Sequence, residues 1–163
     1  MIQRTLVLLK PDAIKRQVMG EIITRFEKAG LKIVACRLAW IDAEKAKQHY
    51  TEDISIRRGE HVRQYLVDFI TSGPVLAMVV EGVDAIENVR MMIGPTEPKA
   101  APPGTIRGDY SHISYSHADE QKKVVPNLIH ASADANDAER EIYVWFNEDE
   151  IFSYPTVHYQ LTM

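Results

Sequence analysis

An alternation of short aliphatic segments with amphipathic ones constrains the fold more than any other feature of the sequence. Three segments are rich in aliphatic and β-branched residues and short enough to be strands: Arg4–Lys10, Leu31–Trp40 and Val75–Glu81. Between the first two, residues 13–29 carry apolar residues at helical spacing and stop at Gly30, which predicts one amphipathic helix.

The order of these segments predicts an α/β fold of the ferredoxin-like type. Strand, helix and strand come first, and strand and helix come again over residues 75–93, as in a split βαβ repeat with an antiparallel sheet. We expect the helices to cover one face of this sheet. Further helices are predicted over residues 42–50, 61–71 and 134–146, and Pro126 reduces residues 124–129 to a short edge strand or extended segment.

Length and composition indicate a single domain. The chain has 163 residues, of which 45% are hydrophobic and 26% charged, so we expect one domain over residues 1–163. Two segments are predicted to be loops: a proline-rich one at 95–104 and an extended polar one at 111–125.

Charge and hydropathy argue against several classes of partner. Lysine and arginine total 19 against 23 acidic residues, a net charge of −4, so no global positive field attracts a nucleic acid. No apolar stretch approaches the roughly 20 residues of a membrane-spanning helix, and residues 1–4 lack the apolar core of a signal peptide. We therefore expect a cytoplasmic protein without membrane or specific nucleic-acid partners. The single cysteine, Cys36, fits a reducing compartment and is expected to be buried.

Basic and hydroxyl residues at the ends of predicted elements are candidate phosphate ligands. The sequence contains no P-loop, no dinucleotide-binding glycine pattern, no zinc-hydrolase motif and no esterase elbow. Lysine is a point charge, arginine a planar fork and threonine a hydroxyl donor, so together such residues could neutralise a polyphosphate. The candidates are Lys10, Arg90, Thr96 and Arg107. For any one of them alone, a solvated surface position is the simpler interpretation.

His130 is the candidate nucleophile. It follows the apolar segment 124–129 and precedes a capped helix, whose N-terminus favours an anion. A histidine with an unperturbed pKa of about 6.5 is largely neutral at cellular pH and can accept a phosphoryl group without a separate base. Glu141, on the following helix, could orient the ring. Taken alone, His130 is more simply interpreted as a structural histidine.

Six motifs in order, spread over nearly the whole chain, resemble the nucleoside diphosphate kinase family. They are Lys10–Ala13, His49–Tyr50, Ser72–Val75, Arg90–Thr96, Gly104–Tyr110 and Asn127–His130. Each motif is weak alone, whereas the ordered set with compatible spacing is specific.

The resemblance implies a ping-pong reaction through a phosphohistidine. In that family a histidine takes the terminal phosphoryl group of a nucleoside triphosphate and passes it to a nucleoside diphosphate, and His130 matches this histidine. Lys10 and Tyr50 would lie beside the phosphoryl group, and Ser132 and Glu141 would support the histidine.

The resemblance also implies how substrates, metal and subunits are arranged. Arg90, Thr96 and Arg107 would bind the phosphates together with Lys10, and Asn127 would meet the ribose. Mg²⁺ would be held mainly through the phosphates, with no metal ligand assigned in the protein. The family forms homo-oligomers, and the proline-rich loop favours a hexamer over a tetramer.

The chain departs from the family's pattern beside the histidine. Ala131 and Ala133 replace the usual glycine and aspartate, which removes a carboxylate near the phosphates. Pro126 replaces the usual arginine. Segment 111–125 is longer than the usual connection, and its His112 and His117 could bind a metal, although an exposed polar loop is the simpler interpretation.

Two other functions are compatible with parts of the pattern. A non-catalytic nucleotide-binding or interaction module could have kept the fold and lost activity through Ala131, Ala133 and Val62. An RNA-binding protein of ferredoxin-like fold would need exposed aromatic residues on its strands and a basic face, but these strands are aliphatic and the net charge is negative.

The base site generates a prediction, because Val62 stands where the family has a phenylalanine that stacks on the base. Valine offers less contact area, so we predict weak nucleotide affinity and little preference for purines over pyrimidines. Val62→Phe should tighten ADP binding by about 1 kcal/mol. Calorimetry of wild type, Val62→Phe and His61→Ala tests this. If only His61→Ala changes affinity, the neighbouring imidazole is the stacking group instead.

Overall fold

Four antiparallel strands form one sheet. The computed structural model describes residues 1–158 and 161. The strands are β1 (Ile2–Leu9), β2 (Lys32–Ala39), β3 (Val75–Val83) and β4 (Ile129–Ala131). They are ordered β2-β3-β1-β4, and every neighbouring pair is antiparallel. This topology confirms the predicted ferredoxin-like fold.

Nine helices, counted over the described residues, accompany the sheet. They are α1 (Pro11–Lys15), α2 (Met19–Lys28), α3 (Ala43–His49), α4 (Glu52–Arg58), α5 (Glu60–Ile70), α6 (Ala85–Ile93), α7 (Ile106–Tyr110), α8 (Tyr115–Glu120) and α9 (Ala135–Trp145). Single 3₁₀ turns occupy Pro98–Ala100 and Glu148–Glu150. No described helix is long and apolar enough to cross a membrane.

Helices cover both faces of the sheet, so the prediction that they cover one face is wrong. One cluster of buried side chains contains Val7 and Leu9 and packs with residues of α2 and α6. The other contains Leu6 and Leu8 and packs with residues of α3, α5 and α9. Because β1 is buried on both faces, its sequence is a continuous apolar run rather than an alternating one.

Two helix predictions fail for identifiable reasons. The single helix predicted over residues 13–29 is two helices, α1 and α2, because Gln17 between them has a φ of 59°, where a right-handed helix cannot continue. Helix α4 was not predicted because none of its residues is buried, which leaves no apolar periodicity to detect.

The strand that carries His130 begins later than predicted. Pro126 has no backbone N–H, and Leu128 has a φ of 70°, so residues 124–128 do not form a strand. The strand is Ile129–Ala131 instead. His130 therefore lies inside β4, paired with Leu8, rather than after the strand.

Two smaller predictions are also corrected. Segment 111–125 is more than a loop, because it contains α8, whose first turn is capped by the Ser114 side chain accepting from the N–H of His117. Cys36 is exposed rather than buried, because the second half of edge strand β2 is largely uncovered. One domain over residues 1–163 stays a prediction.

Gly108 generates a stability prediction. A Cβ added there would lie 2.1 Å from the carbonyl oxygen of Pro102, whereas a Cβ added at Gly20 would meet nothing within 4 Å. Gly108→Ala should therefore lower the free energy of unfolding by about 1–3 kcal/mol, through displaced backbone. Gly20→Ala, the matched control in α2, should raise it by up to about 1 kcal/mol because alanine has less backbone freedom to lose. Denaturant unfolding measures both, and equal midpoints for wild type and Gly108→Ala would contradict the prediction.

Candidate functional site

His130, Ser132 and Glu141 form a hydrogen-bonded chain between β4 and α9. The Nε2 atom of His130 lies 2.9 Å from Oε2 of Glu141. The Ser132 hydroxyl donates to the same oxygen at 2.7 Å and accepts from the N–H of Leu6 at 3.2 Å. The Glu141 side chain is only 5% exposed, against 24% for His130. The predicted partners of the histidine are thus brought together on one side of its ring.

The charge state of Glu141 determines which ring nitrogen of His130 has a free lone pair. Burial alone would raise the pKa of Glu141, but the hydrogen bond of His130, the charge that this ring carries when protonated and the Ser132 hydroxyl lower it to about 2. The carboxylate is therefore ionised and accepts the proton of Nε2. The other ring nitrogen, Nδ1, then carries the lone pair, so it is the ring atom that is chemically able to act as a nucleophile.

A second histidine packs against the first. The buried ring of His49 lies edge-on to His130 with 4.6 Å between ring centroids. The indole N–H of Trp145 donates to Nδ1 of His49 at 3.4 Å. Burial, and then the charge of His130, hold the pKa of His49 well below its usual value, so this ring is neutral. His49 belongs to one of the six motifs that resemble the family, but only its neighbour Tyr50 was given a predicted role.

Tyr50 is placed beside His49 rather than against His130. It is buried, and its ring centroid lies 4.8 Å from that of His49. Burial raises the pKa of its hydroxyl well above the usual range, with the charges of Glu141 and Asp12 adding to the effect. Tyr50 therefore keeps its proton and is available only as a neutral hydrogen-bonding group.

Lys10, Asn127 and Thr96 form a second chain of contacts at the end of β1. The ammonium of Lys10 donates to the side-chain oxygen of Asn127 at 2.7 Å, and the Asn127 amide donates to the carbonyl of Thr96 at 2.8 Å. Burial, and then the charge of Arg107, lower the pKa of Lys10 to about 8, while Asp12 opposes this. The ammonium is therefore charged at neutral pH but close to losing its proton.

Arg107 supports the backbone around this chain of contacts. Its guanidinium donates to the carbonyls of Gly94 at 2.8 Å, Ile129 at 2.6 Å and Asn127 at 3.3 Å. Burial, and then the charge of Arg90, lower its pKa to about 10, so the group remains charged. A guanidinium has five N–H donors, and three contacts leave two for an anion. The sequence predicted the charge but not this structural role.

The remaining predicted phosphate ligands lie on the surface, at what we call the rim of the site. Arg90 and Thr96 are exposed. Arg90 lines a cavity of about 680 Å³ together with Gly94, Thr105 and Ala133. Of the residues in its wall, Gly94 accepts a hydrogen bond from the Arg107 guanidinium, and Asp84 and Glu87 are acidic.

The predicted base platform is not aromatic, but aromatic residues lie one and two turns further along α5. Val62 is half-buried in the first turn of α5. Tyr65 and Phe69, on the same helix, line a cavity of about 590 Å³ whose other wall includes Val124 and Pro126. The sequence prediction missed this cavity because its far wall belongs to the segment containing α8.

One group among the described residues offers three potential metal ligands close together. His49, His130 and Glu141 each present one ligand atom within 4.8 Å of the others. Two of their atoms are already committed, since Nε2 of His130 bonds to Glu141 and Nδ1 of His49 accepts from Trp145. His112 and His117 are not part of this group.

Comparisons with known proteins identify close relatives over nearly the whole chain. A family model described as nucleoside diphosphate kinase matches residues 3–151. A nucleoside diphosphate kinase of Borreliella burgdorferi is 46% identical over 155 residues, which cover 94% of this chain and 93% of that protein.

Two solved structures extend the similarity to three dimensions. A transition-state mimic of the Borrelia burgdorferi enzyme with bound vanadate and ADP has a TM-score of 0.94 and 44% identity, covering 97% of this chain and 98% of that one. A halophilic enzyme from Halobacterium salinarum in complex with CDP has a TM-score of 0.84 and 40% identity, covering 99% and 98%.

The pKa of Lys10 generates a prediction on pH. A lysine with a pKa of about 8 loses its charge as pH rises through that value. ADP binding should therefore weaken between about pH 7.5 and 9.5, and binding in this range should take up about one proton, because phosphate attracts the ammonium and not the neutral amine. Lys10→Gln should bind ADP weakly and without this dependence, whereas Lys99→Gln, a change at an exposed lysine, should behave as wild type. Wild-type affinity that stays constant to pH 9.5 would contradict the prediction.

Proposed function

The chain belongs to the nucleoside diphosphate kinase family and is a phosphotransferase, and we propose that it transfers phosphoryl groups through a phosphohistidine formed at Nδ1 of His130. The observation that supports this assignment most directly is the 2.9 Å bond between Nε2 of His130 and the ionised Glu141. With one nitrogen occupied, the ring offers a single nucleophilic atom.

The first half-reaction forms one bond and breaks one. Nδ1 of His130 attacks the terminal phosphorus of the nucleoside triphosphate, the bond from that phosphorus to the bridging oxygen breaks, and its electron pair stays on the departing diphosphate. The ring becomes positive during attack, and the Glu141 carboxylate at Nε2 stabilises that charge. A nucleoside diphosphate then reverses the sequence, so one nucleotide site serves both substrates.

The cationic residues are proposed to neutralise the transferred group. Lys10 and Arg107 are buried next to the strand that carries His130, and Arg90 and Thr96 lie on the rim. Phosphoryl transfer needs positioning and charge neutralisation more than new covalent chemistry. Fixed cations in a partly dehydrated site supply both.

Other site residues are proposed to act indirectly or on the nucleoside. Asn127, held by Lys10 and Thr96, would meet the ribose, and Ser132 holds Glu141 in place. Tyr50 would offer a neutral hydroxyl, and Val62 would lie against the base.

Magnesium is proposed to enter with the nucleotide. The residues around the phosphates are mainly cationic, and the one cluster of three ligands among the described residues is committed to internal hydrogen bonds. This donor set fits an ion held by phosphate oxygens, which are the hard ligands Mg²⁺ prefers. When bound there, Mg²⁺ reduces the negative charge of the phosphates.

Assembly, location and domain extent complete the proposal. We propose a homo-oligomer, a hexamer rather than a tetramer, on the basis of the proline-rich loop at 95–104. Leu38 and Trp40, on and beside edge strand β2, are 57% and 71% exposed, which fits a surface covered by another subunit. The free, exposed thiol of Cys36 fits a reducing, cytoplasmic location. Residues 1–163 are proposed to form one domain.

A non-catalytic binding module is the alternative, and the neighbourhood of the replaced residues argues against it. Ala131 is buried as part of the hydrophobic core, and His130 beside it keeps its hydrogen bond to Glu141. Ala133 lines the same cavity as Arg90, and the hydrogen bonds among His130, Ser132 and Glu141 are made without it.

Labelling of the histidine distinguishes the enzyme from the binding module. Wild type incubated with γ-labelled ATP and Mg²⁺ should acquire acid-labile, alkali-stable phosphate, and a nucleoside diphosphate should discharge it. His130→Ala should acquire none, whereas His117→Ala, the matched control in α8, should label as wild type. Absence of label on wild type, or equal labelling of His130→Ala, would show that the mechanism is wrong.

A further inference from the structure

The backbone two residues before His130 is held in an unusual conformation. Leu128 has a φ of 70°, which costs energy for any residue other than glycine, and its side chain is fully buried. The N–H of Ile129 donates to the carbonyl of Asn127 at 2.8 Å, which closes a tight three-residue turn around Leu128. Turns of this kind with a positive central φ are rare and strained, so surrounding contacts must hold them.

Two hydrogen bonds from the end of β1 and the start of α1 hold this turn. The N–H of Lys10 donates to the carbonyl of Leu128 at 2.8 Å. The N–H of Leu128 donates to Oδ2 of Asp12 at 2.9 Å. The first contact is between backbone atoms, which any residue provides. The second depends on the Asp12 side chain, and without it a buried N–H would be left unpaired.

The rest of the Asp12 side chain supports a dedicated role. Its other oxygen, Oδ1, is buried without a hydrogen-bond partner, and Arg37 is the only other described residue with such a buried atom. The Asp12 residue is half-buried, and an oxygen held away from water without a partner costs free energy, which the bond made by the other oxygen helps to offset. Its position in the first turn of α1 also suits the helix dipole, but α1 is only five residues long.

The turn positions three parts of the site. Asn127 at its start receives the ammonium of Lys10, Ile129 at its end receives the guanidinium of Arg107, and His130 follows directly. Displacing the turn would therefore move the proposed ribose ligand and the proposed nucleophile together. We propose that Asp12 is a positioning residue, which locks the Asn127–Ile129 turn and thereby aims Asn127 and His130 at the nucleotide. This inference rests on the proposed function.

The test compares two substitutions at Asp12 with one elsewhere in the sheet. Asp12→Ala removes the acceptor, whereas Asp12→Asn keeps an oxygen that can accept from Leu128. Glu81→Ala is the control for simple loss of stability, because Glu81 is a partly buried carboxylate bound to Arg4 and Lys32, on strand β3 and outside the site.

Rates per folded molecule separate positioning from stability. Asp12→Ala should slow phosphoenzyme formation about tenfold or more and weaken ADP binding about threefold or more, because a misplaced group loses reaction geometry. Asp12→Asn should stay within about threefold of wild type. Glu81→Ala should lower the unfolding midpoint while keeping the wild-type rate. An Asp12→Ala rate within twofold of wild type, or an Asp12→Asn rate as low as that of Asp12→Ala, would overturn the proposal.

Amide exchange provides a readout that does not depend on catalysis. The Leu128 N–H should be protected in wild type and Asp12→Asn, and should exchange faster in Asp12→Ala but not in Glu81→Ala. Unchanged protection in Asp12→Ala would overturn the proposal whatever the reaction mechanism is. If exchange and ADP affinity change as expected but no variant labels at His130, the phosphohistidine is wrong and the positioning of Asn127 by Asp12 stands.

Discussion

The pairing of β1 with β4 is the interaction on which the site depends. Leu8 pairs with His130 and Leu9 with Ile129, so the first strand of the sheet is paired with edge strand β4, which carries the histidine. Because β1 is buried on both faces, hydrophobic burial and the backbone ladder together fix its position. Lys10, directly after this strand, and His130, paired with Leu8, therefore take their relative geometry from a buried, hydrogen-bonded part of the sheet.

The site concentrates positive charge in a chain whose net charge is −4. Burial of Lys10 close to Arg107 costs stability, as the lowered pKa of the lysine shows. A bound polyphosphate would offset this cost, so the arrangement is better suited to a complex with an anion than to the empty protein. Glu141 has the opposite charge, and in the proposed reaction its carboxylate would stabilise the imidazole as that ring becomes positive.

Much of the fold followed from local pattern, and the failures share a cause. Strands β1, β2 and β3 were predictable because their apolar runs are buried by the sheet itself. Helix α4 was not, because none of its residues is fully buried and the partial burial of Ile54 is too little to produce an apolar periodicity. The break between α1 and α2 was missed because the helical spacing of apolar residues continues across Gln17, although the φ of this residue is positive and ends the helix. In the site, the order of the motifs predicted the candidate reacting residues, but His49 and Asp12 lay within those motifs without a predicted role.

The sequence by itself determined which residue types the site contains: the histidine, its carboxylate and hydroxyl partners, and the cations in ordered motifs around them. It also determined the strand and helix order that makes a ferredoxin-like sheet the natural arrangement. Only the tertiary structure decided that Nδ1 of His130 is the free nitrogen and that Arg107 donates three hydrogen bonds to backbone carbonyls. It alone placed Leu128 in a strained turn against Asp12. These features depend on the distance and direction between groups that are far apart in the chain. Hydrogen-bond geometry of that kind cannot be predicted from the local pattern of residues.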